Sequence, residues 1–405
     1  MWLDSSNMTQ IPLYENTILV EEKQAIYNVV ESGQMSFGPR CIEFEDVFAK
    51  KLGSRNAVFV NSGSSANLLA FFALANPLVS LPKGQRRLTP GSEVIVPAVT
   101  WSTTIWPIIQ AGGVPVLVDS DPKTLQMKPS AVAAAVSSKT VGICPVHVLG
   151  NSCDMDAIGA IADQHKLWMM EDNCESLGGK WDKKFLGTLG IAGTFSFFFS
   201  HHITTIEGGM IVTDDDDFAE MLRSMRAHGW TRHLKNKDKV EAQYPDFDPR
   251  FLFINTGFNV RPTEINAAIG LIQIEKLEGF NKRRVQIAEK WKSDFAHLIS
   301  SGEMIVNTAT SKASAVYFGF SAICKSKQVR DRFKDTLESA GIETRHIICG
   351  NMARQPAFKH FEHRVAGSLE GADKIMDCGI YWGANPGLSD EQVEYVTGVV
   401  RKFFG

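Results

Sequence analysis

Four short segments of this chain carry the residue types from which an anion site and a proton-transfer site are built. Asn61-Ser-Gly-Ser-Ser-Ala-Asn67 follows the apolar run Ala57-Val-Phe-Val60 and opens a helical pattern. Gly63, Ser64 and Ser65 would therefore present backbone N–H groups and a hydroxyl to a phosphate at a helix N-terminus. Read alone, the serines are an ordinary N-cap. Pro97-Ala-Val-Thr-Trp-Ser-Thr103 places Trp101 past the next strand and at the head of a helix, where a core tryptophan is the plainest reading. Glu171-Asp-Asn-Cys-Glu-Ser176 closes the run Leu167-Trp-Met-Met170; a carboxylate directly after a buried strand, Asp172 by position, is a better functional candidate than a solvated loop acid. The fourth segment holds Ser196, the pair His201-His202 and Glu207-Gly-Gly209. Histidine takes and returns a proton near neutral pH, although a His-His pair by itself is commonly structural.

The order of these segments is more telling than any one of them. Thr194-Phe-Ser-Phe-Phe-Phe-Ser-His-His-Ile-Thr-Thr-Ile-Glu-Gly-Gly209 resembles the cofactor-lysine loop of sugar aminotransferases of the DegT/DnrJ/EryC1/StrS type, with His201 at the lysine position. Asn255-Thr-Gly-Phe-Asn-Val-Arg261, followed by Ala267-Ala-Ile-Gly270, is similar to a second signature of that family, and the resemblance runs over roughly residues 12–403. It implies a fold type I, aspartate aminotransferase-like α/β fold with a mostly parallel central sheet and a smaller C-terminal α/β domain. It also implies pyridoxal phosphate (PLP) or its amine form (PMP) as cofactor. Carried over residue by residue, Gly63, Ser64, Ser65 and Ser196 would hold the phosphate and Trp101 would stack on the ring. Asp172 would sit at the pyridine nitrogen, Glu175 near the ring hydroxyl, and Asn259 would reach the phosphate bound by the neighbouring subunit of a homodimer. With no lysine at position 201 the cofactor cannot be held covalently there, so the chemistry must change.

Glu171 to Ser176, Ser200 to Gly209, Arg226-Ala-His-Gly-Trp-Thr-Arg232 and Gly341-Ile-Glu-Thr-Arg345 with Gly350-Asn351 resemble the branch of the family that carries histidine and works as a 3-dehydratase. That branch implies removal of the C3 hydroxyl from a nucleotide-linked 4-keto-6-deoxyhexose, GDP-4-keto-6-deoxymannose foremost, to give a 4-keto-3,6-dideoxy sugar of the kind used in colitose and O-antigen (lipopolysaccharide) biosynthesis. Glutamate would be the amine donor, ammonia would be released, and His201 would be the general base. His228, Arg232, Arg261, Arg345 and Asn351 are the residues implied to contact substrate, while the role of His202 stays open. A related branch uses an iron-sulfur cluster; none of the seven cysteines here is grouped to bind one. Two other readings remain: a nucleotide-sugar aminotransferase, betrayed by an amino-sugar product, and an inactive PLP- or nucleotide-binding protein, betrayed by binding without turnover.

The elements that must position these residues are legible in outline. A chain of 405 residues with 44% apolar and 21% charged residues suits a soluble two-domain protein. A net charge of −3 offers no basic excess for nucleic acid, and the runs Lys83 to Arg87 and Lys235 to Lys239 read as solvated loops. The scattered cysteines without any Cys-x-x-Cys argue for a reducing cytoplasm and against a zinc site, and no apolar stretch is long enough for a membrane span or opens the chain as a signal. Asp214 to Asp217 reads as a helix start rather than a metal site. Short apolar strands at 57–60, 93–96, 114–118, 140–146, 167–170 and 210–213 alternate with helices at 65–74, 103–110, 129–135 and 155–165, which predicts a parallel sheet covered on both faces. A helix over 261–299 would lead from a cofactor domain, residues 1–265, into a small domain, 266–405, with a strand at 315–323 and helices at 327–340 and 391–404.

Overall fold

Five-residue apolar runs that are buried along their whole length make the centre of the molecule a sheet with no wet face. The computed structural model describes residues 10–405; the first nine residues of the expected cofactor domain lie outside the described residues. Eight strands form the main sheet, in the order Asn56–Val60, Gly209–Thr213, Ala192–Ser196, Trp168–Asp172, Thr140–Ile143, Glu93–Pro97, Val114–Val118 and Arg364–Val365. Gly209–Thr213 runs antiparallel to both its neighbours and the other pairs are parallel. Since parallel neighbours need crossovers, helices such as Gly63–Ala75, Ser102–Gln110, Pro129–Ala135 and Met155–His165 fall between them.

The register brings the chemistry-bearing segments to one edge. Ser196 pairs with Gly209, which also pairs with Val60, so the serine loop after Val60 and the histidine loop between Ser196 and Gly209 emerge side by side. Asp172 pairs with Thr194 on the adjoining strand. These are the carboxyl ends of the parallel strands, where ligands of open α/β sheets bind.

A second sheet of Met304–Val306, Gly319–Cys324, Gly379–Gly383 and Thr344–Arg345 is antiparallel. Its core stacks Trp291, Phe320 and Trp382, with ring centroids 5.1–6.0 Å apart, under the helices Lys327–Ser339 and Asp390–Phe404. The 31-residue helix Glu264–Asp294, about 46 Å at 1.5 Å per residue, joins the two cores. Thr263 and Asn266 cap its start reciprocally, Ala267, Ile274 and Leu277 pack beneath the main sheet, and Ile287, Ala288 and Trp291 enter the second core.

Three boundaries differ from the sequence reading for stated reasons. The strand expected from 140 to 146 ends at Ile143, just before Pro145, which has no N–H to give the ladder. Asp172 is the last residue of its strand, not the first of a loop, because its N–H still donates to Pro145 O at 2.9 Å. The strand expected over 315–323 begins only at Gly319: Tyr317 has φ +36°, and Val316 and Phe318 spend their N–H groups on Gly150 O and Leu149 O, at 2.9 and 3.1 Å.

Candidate active site

Ser62 caps the helix Gly63–Ala75 by accepting the Ser65 N–H at 3.0 Å. Gly63 is required there: a Cβ would stand 2.4 Å from Ser196 Cβ. Across the same seam a Cβ on Gly209 would stand 2.3 Å from Ser62 O. The helix start therefore lies directly against Ser196 Cβ and Oγ with no side chain between, and its free backbone N–H groups make it the kind of polar seat a phosphate takes. Ser64 is exposed and donates to Thr103 Oγ1 at 3.1 Å, tying the starts of two helices together. Trp101 is 56% exposed at the cap of Ser102–Gln110, so it is not the core tryptophan of the plain reading, and its face is free to stack.

Buried Asp172 is held by three donors. Asn67 Nδ2 and Thr104 Oγ1 reach Oδ2 at 2.8 and 2.7 Å, and the Cys174 N–H reaches Oδ1 at 3.1 Å. Thr194 Oγ1 fixes Asn67 in turn, at 2.6 Å from its Oδ1. Glu175 accepts the Leu149 N–H at 2.8 Å. Burial pushes its carboxyl up to about 8, the Leu149 N–H opposing and the nearby Asp172 adding to the rise, so Glu175 is largely protonated at neutral pH.

The histidine loop is pinned at its far side, where Asn266 Nδ2 donates to Thr205 O and Glu207 O and the Thr204 N–H donates to Gln273. The His201 N–H donates to Phe198 O at 2.9 Å, and its ring meets Phe318 edge-on with centroids 5.1 Å apart. Its Nδ1 is buried without a hydrogen-bond partner. Burial, helped by the Arg284 charge, pulls the imidazole down to about 3 and keeps it in the neutral, proton-accepting form. His202 is 1% exposed, neither ring nitrogen reaches hydrogen-bond geometry, and burial, Arg284 and His201 hold it well below the ordinary histidine range. An orphaned imidazole nitrogen, a side-chain-free cradle, an oriented carboxylate and an open indole fit the group that the sequence points to, a phosphate on a planar nitrogen ring.

Asn351 joins this rim: it lies in a bridge with Val99, two residues before Trp101, and its side chain holds Asp373 at 2.9 Å. Arg345 pairs with Tyr381 in the second sheet and donates to Glu343 and Thr344 O. His228, Arg232 and Asn259 are exposed and Arg261 is half-buried, directly after Val260, whose carbonyl accepts the Asn61 N–H at 3.0 Å. The His228 N–H donates to Phe258 O at 2.7 Å, Ala227 bridges Asn259, and exposed Arg232 lies 5.0 Å over the Trp230 ring. Among the described residues none of these four hydrogen-bonds to the Asp172 and His201 group. Sequence reasoning missed Asn67, Thr104, Leu149, Arg284 and Phe318. Asn67 ends the serine segment and Thr104 directly follows the tryptophan segment; the last three carry no local signal, because only the packing of distant segments brings them in.

Fold and site together define a cofactor-dependent α/β enzyme of the aspartate aminotransferase type. Residues 16–401 match the DegT/DnrJ/EryC1/StrS aminotransferase family, and the chain belongs to that family. It is 37% identical over 401 residues to a GDP-4-keto-6-deoxy-D-mannose 3-dehydratase of Yersinia pseudotuberculosis, covering 98% of this chain and 99% of that protein. Two crystal structures of GDP-4-keto-6-deoxymannose-3-dehydratase are similar throughout. One holds a trapped PLP-glutamate geminal diamine (TM-score 0.87, 36% identity, 96% of this chain and 100% of that one). The other is a mutant with bound GDP-perosamine (TM-score 0.86, 35% identity, 96% and 100%). The central sheet and smaller C-terminal sheet are those of the fold type I PLP-dependent enzymes. Among the described residues no group of histidine, cysteine or carboxylate side chains is arranged to hold a metal, and no helix is long and apolar enough to cross a membrane.

Proposed function

We propose that this protein is a PLP/PMP-dependent 3-dehydratase of a nucleotide-linked 4-keto-6-deoxyhexose, GDP-4-keto-6-deoxymannose in first place, with L-glutamate as amine donor. The observation that carries the reading is His201: a neutral imidazole with an unpaired buried Nδ1, in the loop that leaves Ser196 and returns at Gly209, where the family's aminotransferases have lysine. PMP, when bound, supplies the amine that joins the C4 ketone and a ring into which the electrons of a broken C–H bond can spread.

The chain's own residues do the rest. The Gly63, Ser64, Ser65 and Ser196 cradle binds the phosphate, and Trp101 covers the ring. Asp172, fixed by Asn67 and Thr104, would hold the ring nitrogen in its protonated form, and Glu175, kept protonated by burial, would donate to the ring hydroxyl. His201, neutral and with an unpaired Nδ1, would act as the base and then return the proton to the leaving C3 oxygen, so that the hydroxyl departs as water. Hydrolysis at C4 would give the ketone and ammonia, and His201 would carry the proton again when glutamate passes its amine and electron pair to the aldehyde form of the cofactor and leaves as 2-oxoglutarate. The exposure of Asn259, with His228 and Arg232, supports a homodimer in which Asn259 reaches the phosphate bound by the neighbouring subunit. Arg345 and Asn351 would contact the nucleotide sugar from the site's own subunit. The free cysteines suit a cytoplasmic enzyme.

Incubating the protein with PLP, glutamate and a panel of NDP-4-keto-6-deoxy sugars tests this. A product lighter by one oxygen, with ammonia and 2-oxoglutarate formed together, is expected. An amino-sugar product would instead identify an aminotransferase, and cofactor binding without turnover a binding protein.

A further inference from the structure

Arg284, on the long helix, is 3% exposed and has no acidic partner among the described residues. Burying a guanidinium without a counter-charge is costly, and burial itself pulls it down to about 10. Among the described residues its only hydrogen bond runs from Nη1 to Phe318 O, at 3.0 Å, and Nε has no partner. Phe318 is the hub of the site's interior. Its ring meets His201 at 5.1 Å and 76°, and His202 at 5.8 Å and 58°. Its N–H donates to Leu149 O at 3.1 Å, and the Leu149 N–H donates to Glu175 at 2.8 Å. Val316 ties to Gly150 beside it, so the segment straps the second sheet to the loops of the first. The charged or titratable groups bearing on the two imidazoles are each other and Arg284; Phe198 and Phe318, which pack on them, carry none.

We propose that Arg284 is a positioning residue: it anchors the Phe318 strap across the domain boundary, and through that strap sets the face of the His201 imidazole and the hold of Leu149 on Glu175. A neutral donor would serve to bind one carbonyl. The guanidinium charge adds to burial in disfavouring the protonated imidazoles. The catalytic part of the argument rests on His201 acting as the base, as proposed above.

The test is a titration of histidine Cε1–H signals by NMR on cofactor-free, histidine-labelled protein, with His201→Asn identifying the His201 signal, alongside steady-state kinetics. Arg284→Met should move the His201 midpoint upward toward the ordinary range and lower kcat about 10-fold or more, as loss of alignment does, while KM for the nucleotide sugar stays near the wild-type value. Arg284→Lys should recover the depressed midpoint but only part of kcat, because an ammonium keeps the charge without the fork that reaches Phe318 O. If Arg284→Met does not fold, Phe318→Leu reads the same coupling: a broadened or shifted His201 signal and reduced kcat are expected. A wild-type His201 titration and kcat in the folded variant would overturn the proposal. If His201 is not the base, His201→Asn turns over normally, yet the titration still tests the strap.

Discussion

Asp172 is useful only as far as its neighbours aim it. Two side-chain donors on Oδ2 and a backbone donor on Oδ1 leave the carboxylate one orientation, and Thr194 locks Asn67 behind it. Thr104→Val removes one donor, worth about 1 kcal/mol, and should lower kcat several-fold. Asp172→Asn replaces the carboxylate itself and should cost on the order of 10² or more; near-normal turnover in steady-state assays would remove Asp172 from the site. Glu175 makes a prediction about stability. Its folded-state value, about 8, lies above the 4.5 of an unstrained carboxyl, so its contribution is fully present below pH 4.5 and is lost as pH rises through 8. Urea midpoints of the cofactor-free protein at pH 5 and pH 8 should differ less in Glu175→Gln than in the wild type. An identical difference would mean that Glu175 is not held protonated. The two histidines act in the opposite direction, since lowered values cost stability as pH falls below 6.5.

At the scale of elements, two turns and one register do the positioning. The Ser62 cap opens the helix where the strand Asn56–Val60 ends, and the antiparallel strand Gly209–Thr213 returns the histidine loop to the same edge. Gly63→Ala would press a methyl into Ser196. Such overpacking costs about 1–3 kcal/mol, and since the strain falls on the phosphate cradle, it should appear as PLP retention weakened about tenfold or more in equilibrium dialysis. Most of this was legible: the alternating strands and helices from local pattern, and the serine loop, acidic strand end and histidine loop from the order of motifs that resembles the family's. The strap was not. Ala315-Val-Tyr-Phe alternates as a strand would, and only the φ of +36° at Tyr317 and the pull of the Leu149 and Gly150 carbonyls take it out of the sheet. Nor does sequence pattern announce Arg284, which sits in a helix where an exposed arginine would look the same.

The whole molecule carries the candidate site at one sheet edge and, elsewhere on the chain, the exposed residues His228, Arg232 and Asn259. Asn259, His228, Arg232 and Arg261 were legible as candidates from their motifs; among the described residues none of them hydrogen-bonds to Asp172 or His201, and the proposed homodimer is what assigns Asn259 to a neighbouring subunit's phosphate. Asn259→Ala should therefore keep the fold, by circular dichroism, and lose PLP on dialysis faster than the wild type. A fully active monomer by light scattering with activity assay would contradict the shared site.

The central claim is that one histidine carries the proton in both halves of a dehydration that a lysine enzyme would not perform. His201→Asn keeps the polarity and approximate size of the side chain but cannot take a proton. The decisive measurement is single-turnover formation of 2-oxoglutarate from glutamate, and of the 3-deoxy product and ammonia from the nucleotide sugar, by His201→Asn loaded with the cofactor. Both should fall by about 10² to 10⁴ while PMP and the nucleotide sugar still bind. Wild-type rates in either half would contradict the account.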